Sequence, residues 1–307
     1  MKKLMLLAVA LFCAVSLQAK GDLHIFSVNN KDGKITPQKI AKSFEKNGFM
    51  IALNNDMTKP FKIQFKKSDF KIFTLMTVYE PKLDYKLLKI DAKAGVFVPM
   101  GIGIYQANND NTLHVSMLTS DAQAKIIGIK NNDILKKIEA KALKSIEEAL
   151  PNAKHKFSED SLKENKNLVT TFVYELDGDD ADEARDDLKM NLEGGFAPKG
   201  FIMPATMDFD NDILDDDDPK NPFEFYESYS ICKLPVIYTV AKSRPEAAAF
   251  APCTLMVYKK KNEDKIVFGF PSVYNWLSSA RVENKEAKKT LLKAQKDFES
   301  ILKEITE

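Results

Sequence analysis

The chain has 307 residues, with 45 Lys plus Arg against 44 Asp plus Glu, and that near cancellation excludes the global basic footprint of a nucleic-acid binder. Hydrophobic residues make up 44%, a globular composition, and the length suits two domains of roughly 100 to 200 residues each. After the first apolar run no segment is apolar enough to span a membrane, so stable membrane insertion is not expected.

Residues 1–19 read as a signal peptide: MKK, a short apolar run from Leu4 to Val15, then SLQA with a small residue at Ala19 for cleavage. A lipid anchor through Cys13 would want a small residue before the cysteine, and Phe12 is a bulky aromatic. The product is expected to be exported, periplasmic if the source has an outer membrane, with its mature chain starting near Lys20. A first repeat over 22–150 follows. LHIFSV at 23 to 28 alternates like a strand, and Thr36-Pro37 opens a helix with Ile40, Ala41 and Phe44 inward and Gly48 as its stop. Strands are expected at 49 to 53 and 70 to 79. Pro81 starts a helix with Leu83, Leu87 and Ile90 inward, a hairpin occupies 95 to 117, and Ile134, Ile138, Ala142 and Ile146 form one face of a helix over 133 to 150.

The segment 151–166, PNAKHKFSEDSLKENK, is polar and reads as a linker or surface excursion. A second repeat over 167–305 then gives a strand at 168 to 176, a helix at 180 to 192, a long strand at 223 to 231, a short helix at 234 to 242, a hairpin at 248 to 270 and a closing helix at 286 to 305. Direct matching supports the duplication. AGVFVPMGIGIY at 94 to 105 reappears ungapped as AAAFAPCTLMVY at 247 to 258, so that Ala94, Phe97, Pro99 and Tyr105 recur as Ala247, Phe250, Pro252 and Tyr258. At the same displacement LHVSM at 113 to 117 meets IVFGF at 266 to 270, Tyr85 meets Tyr238 and Tyr79 meets Cys232. Upstream the spacing slips by one, pairing Gly48-Phe49 with Gly200-Phe201. Helices on one side of an antiparallel sheet would make each repeat an α+β two-layer sandwich.

The strand, the turn of Cys-Asn-Pro type into a short helix, and the Leu-Pro-Cys type strand with a Tyr six residues after its Pro resemble the domain of unknown function family 302. The resemblance occurs once per repeat. The family's two cysteine positions hold Tyr79 and Met100 in the first repeat, within Tyr79-Glu80-Pro81 and Pro99-Met100, and Cys232 and Cys253 in the second, where Lys233-Leu234 replaces Asn-Pro. The resemblance implies small two-layer α/β domains that pair as dimers, and no activity. The two repeats are therefore expected to pair within one chain about a pseudo-twofold axis, as a monomer.

Cys232 and Cys253 are the strongest chemical candidates. In an exported protein two cysteines default to a disulfide, which would stabilise the fold by about 3 kcal/mol; the alternatives are inert buried thiols or a thiol-redox or metal-handling pair. The acidic run 208 to 218 places Asp208, Asp210 and Asp212 at alternate positions but fails the EF-hand pattern, with Ile213 and Pro219 where Gly and Glu belong, and reads as a solvated insertion. His24, His114 and His155 form no set, because a pair on His24 and His114 needs neighbouring strands and His155 lies in the linker. Met50, Met76, Met100 and Met117 fall on apolar strand patterns and read as packing. Gly101 and Gly103 alternate in a strand, leaving room for a ligand or a close backbone; with Tyr79 and Met100 they outline a candidate groove in the first repeat. No phosphate loop, nucleophile elbow, haem motif or zinc cluster occurs, so neither catalytic residues nor a cofactor is assigned. The expectation is a non-enzymatic binding or scaffold protein for an unidentified small ligand or protein, with thiol-redox or metal handling by Cys232 and Cys253 as the alternative.

Overall fold

In the first repeat, alternation gives β1 (Leu23–Asn29), and the Thr36 hydroxyl then accepts the Lys39 N–H at 3.2 Å to open α1 (Pro37–Lys46). Gly48, at φ +83°, ends that helix, with the Phe49 N–H returning to the Phe44 carbonyl. There follow β2 (Met50–Asp56), α2 (Thr58–Phe65), β3 (Phe70–Tyr79), α3 (Pro81–Ile90), a 3-10 segment Ala92–Phe97, β4 (Met100–Ala107), β5 (Thr112–Leu118), α4 (Ser120–Ile127), α5 (Asp133–Ala149) and β6 (Lys154–Phe157). The second repeat runs β7 (Val169–Glu175), α6 (Ala181–Phe196), β8 (Ile202–Asp208), α7 (Phe209–Asp212), β9 (Phe223–Cys232), α8 (Leu234–Ala241), a 3-10 segment Pro245–Phe250, β10 (Cys253–Lys260), β11 (Lys265–Pro271), α9 (Tyr274–Ser279) and α10 (Lys285–Thr306). Gly200, at φ +78°, repeats the role of Gly48, with Phe201 returning to Phe196. This is a computed structural model describing residues 20–163, 168–215 and 217–307; the expected leader 1–19 lies outside the described residues.

Every strand pair is antiparallel, and the two sheets have one order: β2-β3-β4-β5-β1-β6 in the first, β8-β9-β10-β11-β7 in the second. Position by position the strands correspond, and among the described residues β6 is the one addition. The fold is therefore α+β, two copies of one sandwich, as read from the sequence. Ser43 on α1 donates to the Ser145 carbonyl on α5 at 2.7 Å, locking the first helix layer together. In the second layer Phe298 of α10 packs on Phe196 of α6 and Phe270 of β11, with ring centroids 4.7 and 4.0 Å apart. Burying each such aromatic contributes roughly 1.5 to 3 kcal/mol, which is how helices rich in Lys hold to the sheets.

Three expectations need correction. The polar linker is partly strand, because β6 pairs with β1 over four residues. Ile90 is 53% exposed, since α3 ends there and turns its last residue outward. The hairpins begin later than expected: Gly95 to Phe97 and Ala248 to Phe250 belong to 3-10 segments, each leading into a cis X-Pro bond, Val98-Pro99 and Ala251-Pro252.

Candidate functional site

The repeats meet through those 3-10 segments. Ala92–Phe97 lies against β10 and β11, and Pro245–Phe250 lies against β4 and β5, a reciprocal exchange that a pseudo-twofold axis requires. The glycine groove is consequently full. A Cβ on Gly101 would stand 2.6 Å from the Ala249 carbonyl oxygen, and one on Gly103 would stand 2.6 Å from the Ala248 Cβ. The space serves close backbone approach, and the second repeat occupies it. Tyr79 and Met100 are 7% and 4% exposed; Met50 faces Tyr79 across the β2–β3 ladder, and the Gln123 amide lies 3.5 Å from the Met100 sulfur. None of the four opens a groove. The mirrored contact is made differently: Tyr226 donates to the Ala92 carbonyl at 2.7 Å and lies against Gly95, where a Cβ would clash with its hydroxyl.

Beside these contacts lie two clefts in corresponding places. One, of about 90 Å³, is lined by Ile25 and Lys156 of the first repeat and by Arg244, Glu246 and Arg281 of the second. The other, of about 510 Å³, is lined by Lys89, Ile90 and Lys93 of the first repeat and by Thr171, Val173 and Lys260 of the second. They differ because β6 covers the edge of the first sheet, whereas β7 forms the edge of the second and carries no partner strand on its outer side among the described residues. Ile90 and Val173, 53% and 41% exposed, give the larger cleft an apolar surface. Its charges are Lys89, Lys93 and Lys260 with Asp91, against Lys156, Arg244 and Arg281 with Glu159, Asp160 and Glu246 in the smaller one.

Two of the three histidines do meet, contrary to the reading of the linker as separate, and the third stands apart. Pairing of β6 with β1 brings His155 to His24, nitrogen to nitrogen at 2.9 Å, and the other His24 nitrogen meets Glu139 at 2.9 Å. Glu139 also accepts from the Ser120 amide and hydroxyl at 2.7 and 2.8 Å. Burial pushes the Glu139 carboxyl up, but the bonds from His24 and Ser120 outweigh it and hold it low. His114 lies on the strand next to β1 and bonds to Ser27 at 2.8 Å, away from this chain of contacts. Among the described residues no group of three or more His, Cys, Asp or Glu is arranged to hold a metal ion.

Cys232 and Cys253 are free thiols, so the expected disulfide is not formed here. Their strands are neighbours, as expected, but the register sets Ile231, and not Cys232, opposite Cys253. Burial pushes the Cys253 thiol up to about 12 and the Cys232 thiol higher still, which disfavours the thiolate that redox exchange or metal binding needs. Both line an apolar cavity with Trp276 and Phe298; at about 40 Å³ it is close to the volume of one water.

The acidic run is not a free insertion. Asp218 accepts from Lys89 at 2.6 Å and Tyr85 at 3.0 Å across the junction, and the Lys89 bond draws its carboxyl down to about 2. Asp208, Asp210 and Glu227 surround Arg185, whose nitrogens lie 3.3, 3.2 and 2.8 Å from them. Burial and the Asp208 charge push Asp210 up to about 6.

The family model described as Domain of unknown function DUF302 matches the chain twice, over residues 26–153 and 175–305. The chain is also similar to a solved structure described as "Crystal structure of uncharacterized conserved protein DUF302 from Bacillus stearothermophilus", at 14% identity over 46% of this chain and 99% of that one, with a TM-score of 0.34. No curated protein matches.

Proposed function

The chain belongs to the DUF302 family as a tandem of two copies, and from that premise we propose that it is an exported, non-enzymatic binding protein, monomeric because its dimer is internal, with its ligand site in the larger junction cleft. The observation that carries this reading is the inequality of the two corresponding clefts: one is filled by the chain's own β6, while the other keeps about 510 Å³ open between exposed Ile90 and Val173. That volume lies within the usual ~300 to 1,000 Å³ of ligand sites. Exposed Ile90 and Val173 suit a ligand with an apolar body, and Lys93 and Lys260, paired with Asp91 at 3.6 Å and Glu263 at 3.2 Å, offer it positive charge, while Lys89 is taken by Asp218.

Native mass spectrometry of protein released by osmotic shock tests this. The wild type should carry a bound species that an Ile90→Glu, Val173→Glu double variant of equal Tm has lost. A wild type with nothing bound at physiological salt, or a species kept equally by both proteins, contradicts the reading.

A further inference from the structure

Resting on the reading that the open cleft is the binding site, we infer that its occupant is an extended polypeptide segment that adds to β7 as an antiparallel strand, with aromatic and acidic side chains in alternation. The repeat itself supplies the template. Leu118 faces Leu23 in the first sheet and its counterpart Pro271 faces Val169 in the second, so Thr170, Thr171, Phe172 and Val173 correspond to His24, Ile25, Phe26 and Ser27. In the first sheet those four positions are paired with Phe157, Lys156, His155 and Lys154 of β6. His155 stacks on Phe26 with ring centroids 4.4 Å apart and leaves Phe26 1% exposed. Its counterpart Phe172 is only half-buried, and no described strand lies on its outer side.

The edge is also undefended. β6 carries Lys154 and Lys156 on its four residues, β8 carries Pro204 within a shifted register, and the β2 ladder is shifted between Ile51 and Leu53. β7, VTTFVYE, has one charge, at its end, and neither Pro nor Lys. An unprotected row of backbone donors and acceptors is the usual receptor for strand addition.

Charge then selects the occupant. In the small cleft Lys156 lies beside Glu246, which pairs with Arg244 at 3.5 Å; the counterparts in the large cleft, beside Thr171 and Val173, are Lys93 and Asp91, 3.6 Å apart with the order of the charges inverted. The sign is reversed, so the side chains opposite Thr171 and Val173 should be acidic where β6 has lysine. The aromatic positions, opposite Thr170 and Phe172, keep the character of Phe157 and His155.

Two labelled peptides test this by fluorescence anisotropy on the full exported chain: residues 152 to 158, NAKHKFS, and the same peptide with both lysines changed to Glu, NAEHEFS. The acidic peptide should bind at least tenfold tighter and slow hydrogen exchange of the Thr170 to Val173 amides, and Lys93→Glu should reverse the preference. Equal affinity for the two peptides, or binding without protection at those amides, overturns the inference. Protection of 170 to 173 without peptide in a protein that sediments as a dimer also overturns it, since a second copy would then cover the edge. If neither peptide binds while native mass spectrometry still finds a species lost with Ile90 and Val173, the strand inference fails and the cleft reading stands.

Discussion

Asp84 shows how far one buried carboxyl departs from what its place in the sequence suggests. It lies in the first turn of α3, where an acidic residue ordinarily favours the helix dipole from solvent, yet it is 4% exposed and its Oδ2 accepts the Glu80 N–H at 2.6 Å. Glu80 caps the helix at the Leu83 amide and pairs with Lys141 at 2.5 Å. Burial is the main cause that pushes Asp84 up to about 8, with the Glu80 charge adding to it. Between the unfolded value near 4 and the folded value the native state keeps a proton that the unfolded chain has lost, so stability is full below that window and falls as pH rises through it. Asp84→Asn keeps an acceptor for Glu80 without the ionisation, and should stabilise the protein at pH 8 by on the order of 2 kcal/mol while changing little at pH 4. Thermal melts across pH 4 to 8 check this; a variant whose Tm falls with pH as steeply as the wild type contradicts it. Pro81 marked the helix start in the sequence, but nothing in the order of residues says that Asp84 is covered, because the covering comes from Lys141 and the α5 side of the fold. Of the two readings of Gly101 and Gly103, room for a ligand and a close backbone, the second holds; the sequence does not say that the approaching residues, Ala248 and Ala249, belong to the other repeat.

At the level of elements, apolar periodicity located the strands that carry the core; β3, at Phe70–Tyr79, coincides with its reading. β6 was invisible to that signal because it is a short edge strand with Lys154, His155 and Lys156 all exposed, held by one ladder and a histidine contact. That construction makes its docking sensitive to acid. Although the residue is exposed as a whole, desolvation of its ring against Phe26 first, and then His24 beside it, hold the His155 imidazole below its usual range, so the folded protein resists a proton that the unfolded chain accepts near 6.5. Docking is at full strength above that value and weakens as pH falls below it, and Glu139, also held low, adds a second loss under about 4.5. Amide exchange of Lys154 to Phe157 at pH 5.5 should therefore exceed that at pH 7.5 after correction for intrinsic rates. His155→Phe, which keeps a ring over Phe26, should remove the difference; an unchanged pH dependence in that variant would place the switch elsewhere.

For the whole molecule, duplication allowed the junction to diverge while its plan stayed reciprocal. Tyr85 of the first repeat bonds to Asp218 of the second at 3.0 Å, and its counterpart Tyr238 bonds to Asp69 of the first at 2.9 Å, packed on Phe65 with centroids 4.5 Å apart. Other contacts are one-sided. Ser116 donates to the Glu246 carbonyl at 3.0 Å, whereas its counterpart is Gly269, where a Cβ would stand 2.3 Å from the Met256 methyl. Such asymmetry should make each repeat prefer the other to a copy of itself, with the covalent link raising their effective concentration. Two polypeptides, one ending at Lys163 and one starting at Leu168, should therefore recombine on co-expression into a 1:1 complex. Gly103→Val in the first half should weaken it by about 2 to 3 kcal/mol, the usual cost of overpacking, because Ala248 and the Ser116 hydroxyl stand 2.6 and 2.7 Å from the new Cβ. That loss is on the order of 30- to 150-fold in Kd by sedimentation velocity, since about 1.4 kcal/mol corresponds to tenfold. Halves that remain separate folded monomers, or that form homodimers in preference to the mixed pair, would show that the junction is an incidental contact.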